Sequence, residues 1–500
     1  MKPAAPIEGF EEIELKLALP AANPSNLVKR LSQTSVLARR QPTQQQLHNV
    51  YYDTPEQHLR QLRVALRLRR VGSEATPQWL QTLKTGCRGD SALSQRGEWE
   101  TPVPNASLSF KALKTTPWSD MDPEGRLFGA LAPSFVTSFE RTSWRVRRRD
   151  GSVVEVALDL GQIVAGDKTS PICELELELK AGQPSALFDV AQQIARTIAV
   201  LPATMSKAER GYALAQDGLD APLRAQPPEL ASDLTVLAAA QYVLSEMFGQ
   251  FITNLNALRT SDDPEVVHQA RVGWRRFKSA SRLFRPVLAP DAVPSWQALQ
   301  PLLTCLGDLR DLDVARTETL PPLAEAYRAD NEPCAQAWQA MTQALTQSAD
   351  LQRRSVRCAL QEPNVGACLL ATTQWLADLP ASPSATDDAA TKVSLRRWSR
   401  SRIDHLHAQF KRALKQADDP ESQHRARILA KRMRYGIEAL RSFLPGKRAQ
   451  RYARRATDLQ TSIGTTRDLM QAATLVARLE LDLGLAEFLR GVAMGRTTPT

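Results

Sequence analysis

Long apolar runs are missing from this chain. No stretch reaches the roughly 18 uninterrupted residues that a membrane-spanning helix needs, and the opening MKPAAPIEGFEEIEL lacks the apolar core of a secretory signal. A cytoplasmic protein with no membrane association is expected. Cysteine is sparse, with six residues scattered at positions 87, 173, 305, 334, 358 and 368. They form neither a zinc-type spacing nor a dense framework, so reduced, structural thiols are expected. Aromatic residues are only 6% of the sequence and are not interleaved with the basic ones, which removes the stacking platform that nucleic-acid bases require. Carboxylates are outnumbered, 54 against 64 lysines and arginines, and the formal charge of +10 favours an anionic partner.

What the chain does have is apolar content, 43%, sufficient for a core in each of the two or three domains that 500 residues imply. From residue 11 to about 180 the pattern is short alternating segments, among them EIELKL, ALRLRR, WLQTLK, SWRVRRR, VVEVALDL and CELELEL, punctuated by Gly, Pro, Asp and Asn. That pattern predicts an antiparallel sheet or barrel, with helices near 24–38 and 184–199. The Pro-rich DGLDAPLRAQPPEL at 217–230 reads as a linker, after which the period is helical almost to the end. The expected organisation is an α+β multidomain chain: a β domain over 1–216, then an all-α domain over 231–500. Its halves, 231–377 and 396–500, are joined by a mobile loop near 378–395.

Side chains two apart share one face of a strand. Glu12, Glu14 and Lys16 therefore lie together, as do Glu174, Glu176, Glu178 and Lys180, with apolar residues between them. Other strand-like segments are basic, carrying Arg67, Arg69, Lys84, Arg141, Arg145 and Arg147. Acidic and basic strands around one cavity suit phosphoanhydride hydrolysis. Carboxylates offer hard oxygen ligands to a divalent metal, while Arg and Lys neutralise phosphate oxygens. Alternation alone gives equal weight to a wet sheet face salt-bridged across its strands.

The helical region repeats itself. His268 is followed by Arg271, Arg275, Arg276 and Lys278, and His424 by Arg427, Lys431, Arg432 and Arg434, at identical offsets. Further on, Arg310-Asp311-Leu312 is answered by Arg467-Asp468-Leu469. At about 100° per residue, His268, Arg271, Arg275 and Lys278 span a sector of about 80°, and His424, Arg427, Lys431 and Arg434 do the same. Opposite them lie Ala270, Phe277 and Phe284, matched by Ala426, Met433 and Leu440. A single basic helix face is most simply a solvated one. A duplicated stack of cations without intervening carboxylates predicts a polyanion ligand instead.

The run Glu12-Ile13-Glu14-Leu15-Lys16 resembles the ExExK motif of the CYTH superfamily, the triphosphate tunnel metalloenzymes. The later order is also similar to that family: YYDTP at 51–55, Arg67 and Arg69, Lys84, RGEWE with Arg96, Glu98 and Glu100, Arg141, Asp159, Glu174 with Glu176, and Lys207 in SKAERGY. Residues from about 231 resemble the CHAD domain, a helical module of two related four-helix halves associated with polyphosphate. One departure is Glu438, which stands where the first half has Arg282.

The resemblance implies an eight-stranded antiparallel tunnel that cleaves inorganic triphosphate with Mg²⁺ or Mn²⁺, by in-line attack of a metal-associated water and departure of diphosphate. Carried over, Glu12, Glu14, Asp159, Glu174 and Glu176 become the metal-holding set, while Lys16, Arg67, Arg69, Lys84, Arg141 and Lys207 clamp the phosphates. Glu12, Glu14, Lys84, Glu98 and Glu100 are the candidate catalytic groups, and Arg96 and Arg145 are secondary ones. The polyphosphate-binding set is His268, Arg271, Arg275, Lys278, His424, Arg427, Lys431 and Arg434, which leaves three roles open for the helical domain: localisation to polyphosphate granules, feeding substrate to the tunnel, and regulation. An adenylyl cyclase and a non-catalytic polyphosphate-binding protein are the competing readings.

Overall fold

The computed structural model describes residues 11–20, 24–72, 77–86, 91–329, 331–379, 394–417, 419–479 and 483–495. These fall into two compact units, one within residues 1–221, 252–261 and 360–377, the other within 222–251, 262–359 and 378–500. The expected mobile loop lies, over 380–393, outside the described residues.

The first unit is built on eight strands: β1 (Glu11–Ala18), β2 (Thr43–Asp53), β3 (Ala65–Val71), β4 (Gln78–Lys84), β5 (Leu93–Val103), β6 (Ala132–Arg147), β7 (Val153–Ala165) and β8 (Lys168–Ala181). They run in the order β5-β4-β3-β2-β6-β7-β8-β1, every neighbour antiparallel. β1 then pairs with β5, which closes the barrel and leaves these strands no open edge.

This barrel is polar inside and apolar outside. Leu15 and Leu17 of β1, Val154, Val156 and Leu158 of β7, and Leu175 and Leu177 of β8 form an outer core with Leu187, Phe188, Val190 and Ile194 of α1 (Ser185–Ala195). Each of these is at most 1% exposed, and each such burial contributes about 1.5–3 kcal/mol. On the opposite wall, Leu66 and Leu83 are covered by Leu113, Trp118, Phe110 and Phe128 of the 104–131 segment. Period-two alternation therefore turns the charged set into the bore, where water would otherwise have been the only partner for it.

Gly161 in β7 sits opposite Phe139 of β6. A Cβ there would lie 2.1 Å from the Ser138 carbonyl oxygen and 2.5 Å from the Phe139 Cα. Gly161→Ala is expected to destabilise the barrel by about 1–3 kcal/mol, read as a lowered urea midpoint; an unchanged midpoint would mean that β6 and β7 separate freely.

The second unit is helical among its described residues. Two of its helices start alike: α2 (Pro264–Phe284) and, further on, Pro420–Ala439 each follow an aspartate whose carboxylate accepts a backbone N–H of the first turn, with proline at the first position. Asp263 and Asp419 thus supply the cap, and Pro264 and Pro420 the preset φ. Between them run α3 (Gln300–Val314), α4 (Glu332–Ala359) and α5 (Leu395–Lys415); α6 is Pro420–Ala439 and α7 is Gly446–Arg478. α2 packs against α6, and α3 against α7. The expected apolar backs are buried: Ala270, Phe277 and Phe284 at 0% exposure, Met433 and Leu440 likewise.

Candidate tunnel site

A cavity of about 480 Å³ runs inside the barrel. Its lining includes Glu12, Glu14 and Lys16 of β1, Arg67 and Arg69 of β3, Lys84 of β4, Glu98 and Glu100 of β5, Arg141 of β6 and Glu176 of β8. Lys207 enters from the helix Lys207–Ala215, whose start is fixed by a capping box between Ser206 and Glu209. Asp159 and Glu174, 0% and 6% exposed, lie behind this surface. Arg96, Glu155, Glu178 and Lys180 complete the charged lining, and Tyr51 stands among them as a neutral phenol.

Strand register explains which of these meet. Lys84 stands opposite Glu98, Glu12 opposite Arg96, and Arg141 opposite Asp159. Lys84 Nζ donates to both Glu12 oxygens at 2.7 and 2.8 Å and lies 3.1 Å from Glu98. Arg96 bridges Glu12, at 3.0 Å, and Glu14, which also binds Lys16 at 2.6 Å. Arg67 reaches Glu98 and the Tyr51 hydroxyl, and Arg69 Nε donates to Asn49 Oδ1 at 2.9 Å. Burial works to raise the carboxyl pKa of Glu12 and Glu14, but Lys84 and Arg96 hold the first below the usual range, and Lys16 and Arg96 the second. Burial and the neighbouring Arg67 push the Arg69 guanidinium down to about 10.

Asp159, Glu174 and Glu176 form a second focus, with ligand oxygens within 4.8 Å of one another. Their donor set, three carboxylates with hard oxygens, fits a divalent cation of the Mg²⁺ type. In this structure the Lys207 ammonium sits on the same three groups, at 2.6 Å from Asp159, 2.5 Å from Glu174 and 2.8 Å from Glu176. Arg141 adds a fork to Asp159 at 2.7 and 2.8 Å and reaches Glu176 at 2.5 Å. Burial opposes ionisation of Glu176, yet Lys207 and Arg141 hold its pKa well below the ordinary value. The carboxylates in turn raise the Lys207 pKa against its own desolvation. The focus is thus built to bind positive charge.

Arg210 escapes the sequence reading. One turn beyond Lys207, it donates to Glu174 at 3.0 Å and to the Pro171 carbonyl at 2.6 Å. The i, i+3 spacing of two cations after the cap is its only signal in the sequence. Arg145, a secondary candidate, is exposed and is absent from the cavity lining.

In the helical unit, the basic residues of α2 and α6 converge. Arg275 of α2 is close enough to act on the Lys431 ammonium of α6, which burial and the cations Arg275, Arg427, Arg467 and Arg434 push down to about 8. Burial and Arg310 lower the His268 pKa, and burial and Arg275 that of Arg271. Arg276, which shares the offset pattern of this set, instead lies 2% exposed and pairs with Glu438 at 2.5 Å. The side chain of His424 lies outside the described residues.

A closed antiparallel barrel whose bore carries paired acidic and basic walls is here joined to a basic helical unit. Residues 11–212 match the CYTH domain and residues 242–477 the CHAD domain, so the chain carries both. An inorganic triphosphatase of Haemophilus influenzae is 34% identical over 206 residues, which is 41% of this chain and 55% of that protein. The chain therefore spans about half the length of that curated relative. Among solved structures, the CHAD domain of the plant Ricinus communis is 29% identical with a TM-score of 0.46, covering 55% of this chain and 91% of that one. A putative adenylyl cyclase of Hippeastrum, described as having a dominant triphosphatase activity, is 20% identical with a TM-score of 0.30, covering 41% and 96%. Among the described residues, no helix is long and apolar enough to cross a membrane.

Proposed function

We propose that the tunnel hydrolyses inorganic triphosphate to diphosphate and phosphate with Mg²⁺ or Mn²⁺, and that the helical domain binds inorganic polyphosphate. The observation that carries the first part is the carboxylate focus of Asp159, Glu174 and Glu176, already holding a cation and flanked by the cationic lining of one cavity. The inorganic triphosphatase of Haemophilus influenzae supports the choice of substrate.

A divalent ion at these carboxylates would supply charge to the phosphate oxygens and acidify water at neutral pH. Lys16, Arg67, Arg69, Lys84 and Arg141 line the cavity as donors for the phosphates, and Lys207 joins them once its ammonium leaves the focus. Glu12 orients Lys84 through two hydrogen bonds, and Glu98 stands beside the same ammonium. Thr82 and Arg69 hold Glu100 at the cavity wall. Burial strengthens each of these contacts at the moment charge builds on the leaving diphosphate.

The domain boundaries proposed are 1–216, a linker at 217–230, and 231–500 as two related four-helix halves. The shared Asp-Pro-Glu starts at 263 and 419 and the equal cation offsets support the duplication. The basic residues of α2 and α6 would take the polyphosphate, and granule association would follow. Phosphate release from inorganic triphosphate, ATP and long-chain polyphosphate tests the reading. Preference for triphosphate by tenfold or more in kcat/KM, about 1.4 kcal/mol, is expected. Formation of cyclic AMP from ATP would select the cyclase, and polyphosphate binding without release from any substrate the binding protein.

A further inference from the structure

Counted from His268 and His424, Arg276 and Arg432 share an offset of eight, and Arg282 and Glu438 an offset of fourteen. The two pairs that result are not alike. Arg276 Nη2 meets Glu438 at 2.5 Å and also donates to the Gln226 carbonyl, and Nη1 donates to Gln250, while its Nε, like those of Arg402 and Arg432, has no hydrogen-bond partner. Arg432 faces Arg282 instead. Arg285, Arg402 and His405 join these two around a cavity of about 570 Å³ lined by α2, α5, α6 and the turn after α2.

Among the described residues, no aspartate or glutamate lines this cavity. Among the described residues, Arg282, Arg285, Arg402 and Arg432 form no ion pair, and the buried Nε atoms of Arg402 and Arg432 have no hydrogen-bond partner. Desolvation lowers the Arg402 pKa, and desolvation and Arg282 lower that of Arg432. Arg282 acts on Arg432 here, and Arg285 and Arg402 line the same cavity; cations gathered without a carboxylate repel, and an anion between them reverses the sign of that interaction. We propose that this cavity is a binding site for a compact phosphate oxyanion of the diphosphate kind, opened where Arg282 stands in place of the glutamate that closes the matching pair. Its described lining shares no residue with the tunnel and includes neither Arg275 nor Lys431, although Arg282 acts on Lys278 of the basic face.

The test is calorimetric titration of the full chain with inorganic diphosphate in chelator. Arg282→Glu should pair with Arg432 as Glu438 pairs with Arg276, and weaken binding about tenfold or more, while Arg402→Gln weakens it by a similar factor without a charge reversal. The tunnel is untouched in both variants, so its own contribution cancels. Arg396→Glu removes an exposed cation of α5 outside the cavity and should change affinity by less than about twofold. Isotherms of Arg282→Glu and Arg402→Gln that overlay the wild type would overturn the proposal, as would an equal loss in Arg396→Glu, which would mark bulk charge. A parallel titration with long-chain polyphosphate separates the two sources of phosphate: variants that weaken only the long chain would make these residues part of an extended surface and overturn the compact site.

Discussion

Glu176→Gln should lower metal-dependent triphosphate turnover on the order of 10³-fold and leave the barrel folded. Glu176 is the member of the carboxylate focus that also lines the cavity. It accepts from Arg141 at 2.5 Å and from Lys207 at 2.8 Å, so its charge is shared between the metal-holding side and the phosphate-holding side. Glutamine keeps the volume and one acceptor but removes the charge. The loss should fall on kcat, with KM for triphosphate unchanged or lower, because one fewer anion repels the substrate. Steady-state kinetics at saturating Mn²⁺, with circular dichroism to check folding, reads both. A loss under tenfold in a folded variant would remove Glu176 from the chemistry.

Lys207→Met should make the stability of the tunnel depend on divalent metal. The Lys207 ammonium is 6% exposed and touches Asp159, Glu174 and Glu176 within 2.8 Å. Taking it away leaves three carboxylates whose oxygens lie within 4.8 Å of one another. Breaking a buried ion set of this kind costs about 3–5 kcal/mol. Arg141 remains on Asp159 and Glu176, and Arg210 on Glu174, which keeps the variant foldable. In chelator its unfolding midpoint should fall well below the wild type, and Mn²⁺ should raise it by more than it raises the wild type, since the ion then competes with no lysine. Equal midpoints in chelator, or equal metal gains, would show that the ammonium and the metal do not share the focus.

These two residues also show where the sequence stops being readable. In a closed barrel every second residue points into the bore, so alternation puts Glu12, Glu14, Lys16, Arg67, Arg69 and Glu176 into one cavity once closure is known, and without closure it fits a wet sheet face equally well. Their pairing depends on strand order and register: Lys84 meets Glu12 across the β1–β5 closure, a contact no local pattern encodes. Lys207 is identifiable as a tunnel residue only through the resemblance of SKAERGY, and its seat on Asp159, Glu174 and Glu176 is a distance, which one sequence does not contain. Glu12 and Glu14, grouped with the metal-holding set in the sequence, are held by Lys84, Arg96 and Lys16 here. In the helical half, equal offsets from His268 and His424 reveal the related helices, and the unequal pair Arg282 and Glu438 is legible in the same count. What that inequality does is visible only once Arg402 and His405 of α5 are seen beside it.

The central claim is a metal-dependent cleavage of triphosphate in the tunnel. Phosphorus NMR of the purified chain with inorganic triphosphate, with Mg²⁺, with Mn²⁺ and with chelator, tests it most directly. Diphosphate and phosphate appearing in equal amounts with either metal, and neither appearing with chelator, is the predicted result. Triphosphate left intact under all three conditions, or cleaved at the same rate in chelator, would contradict it.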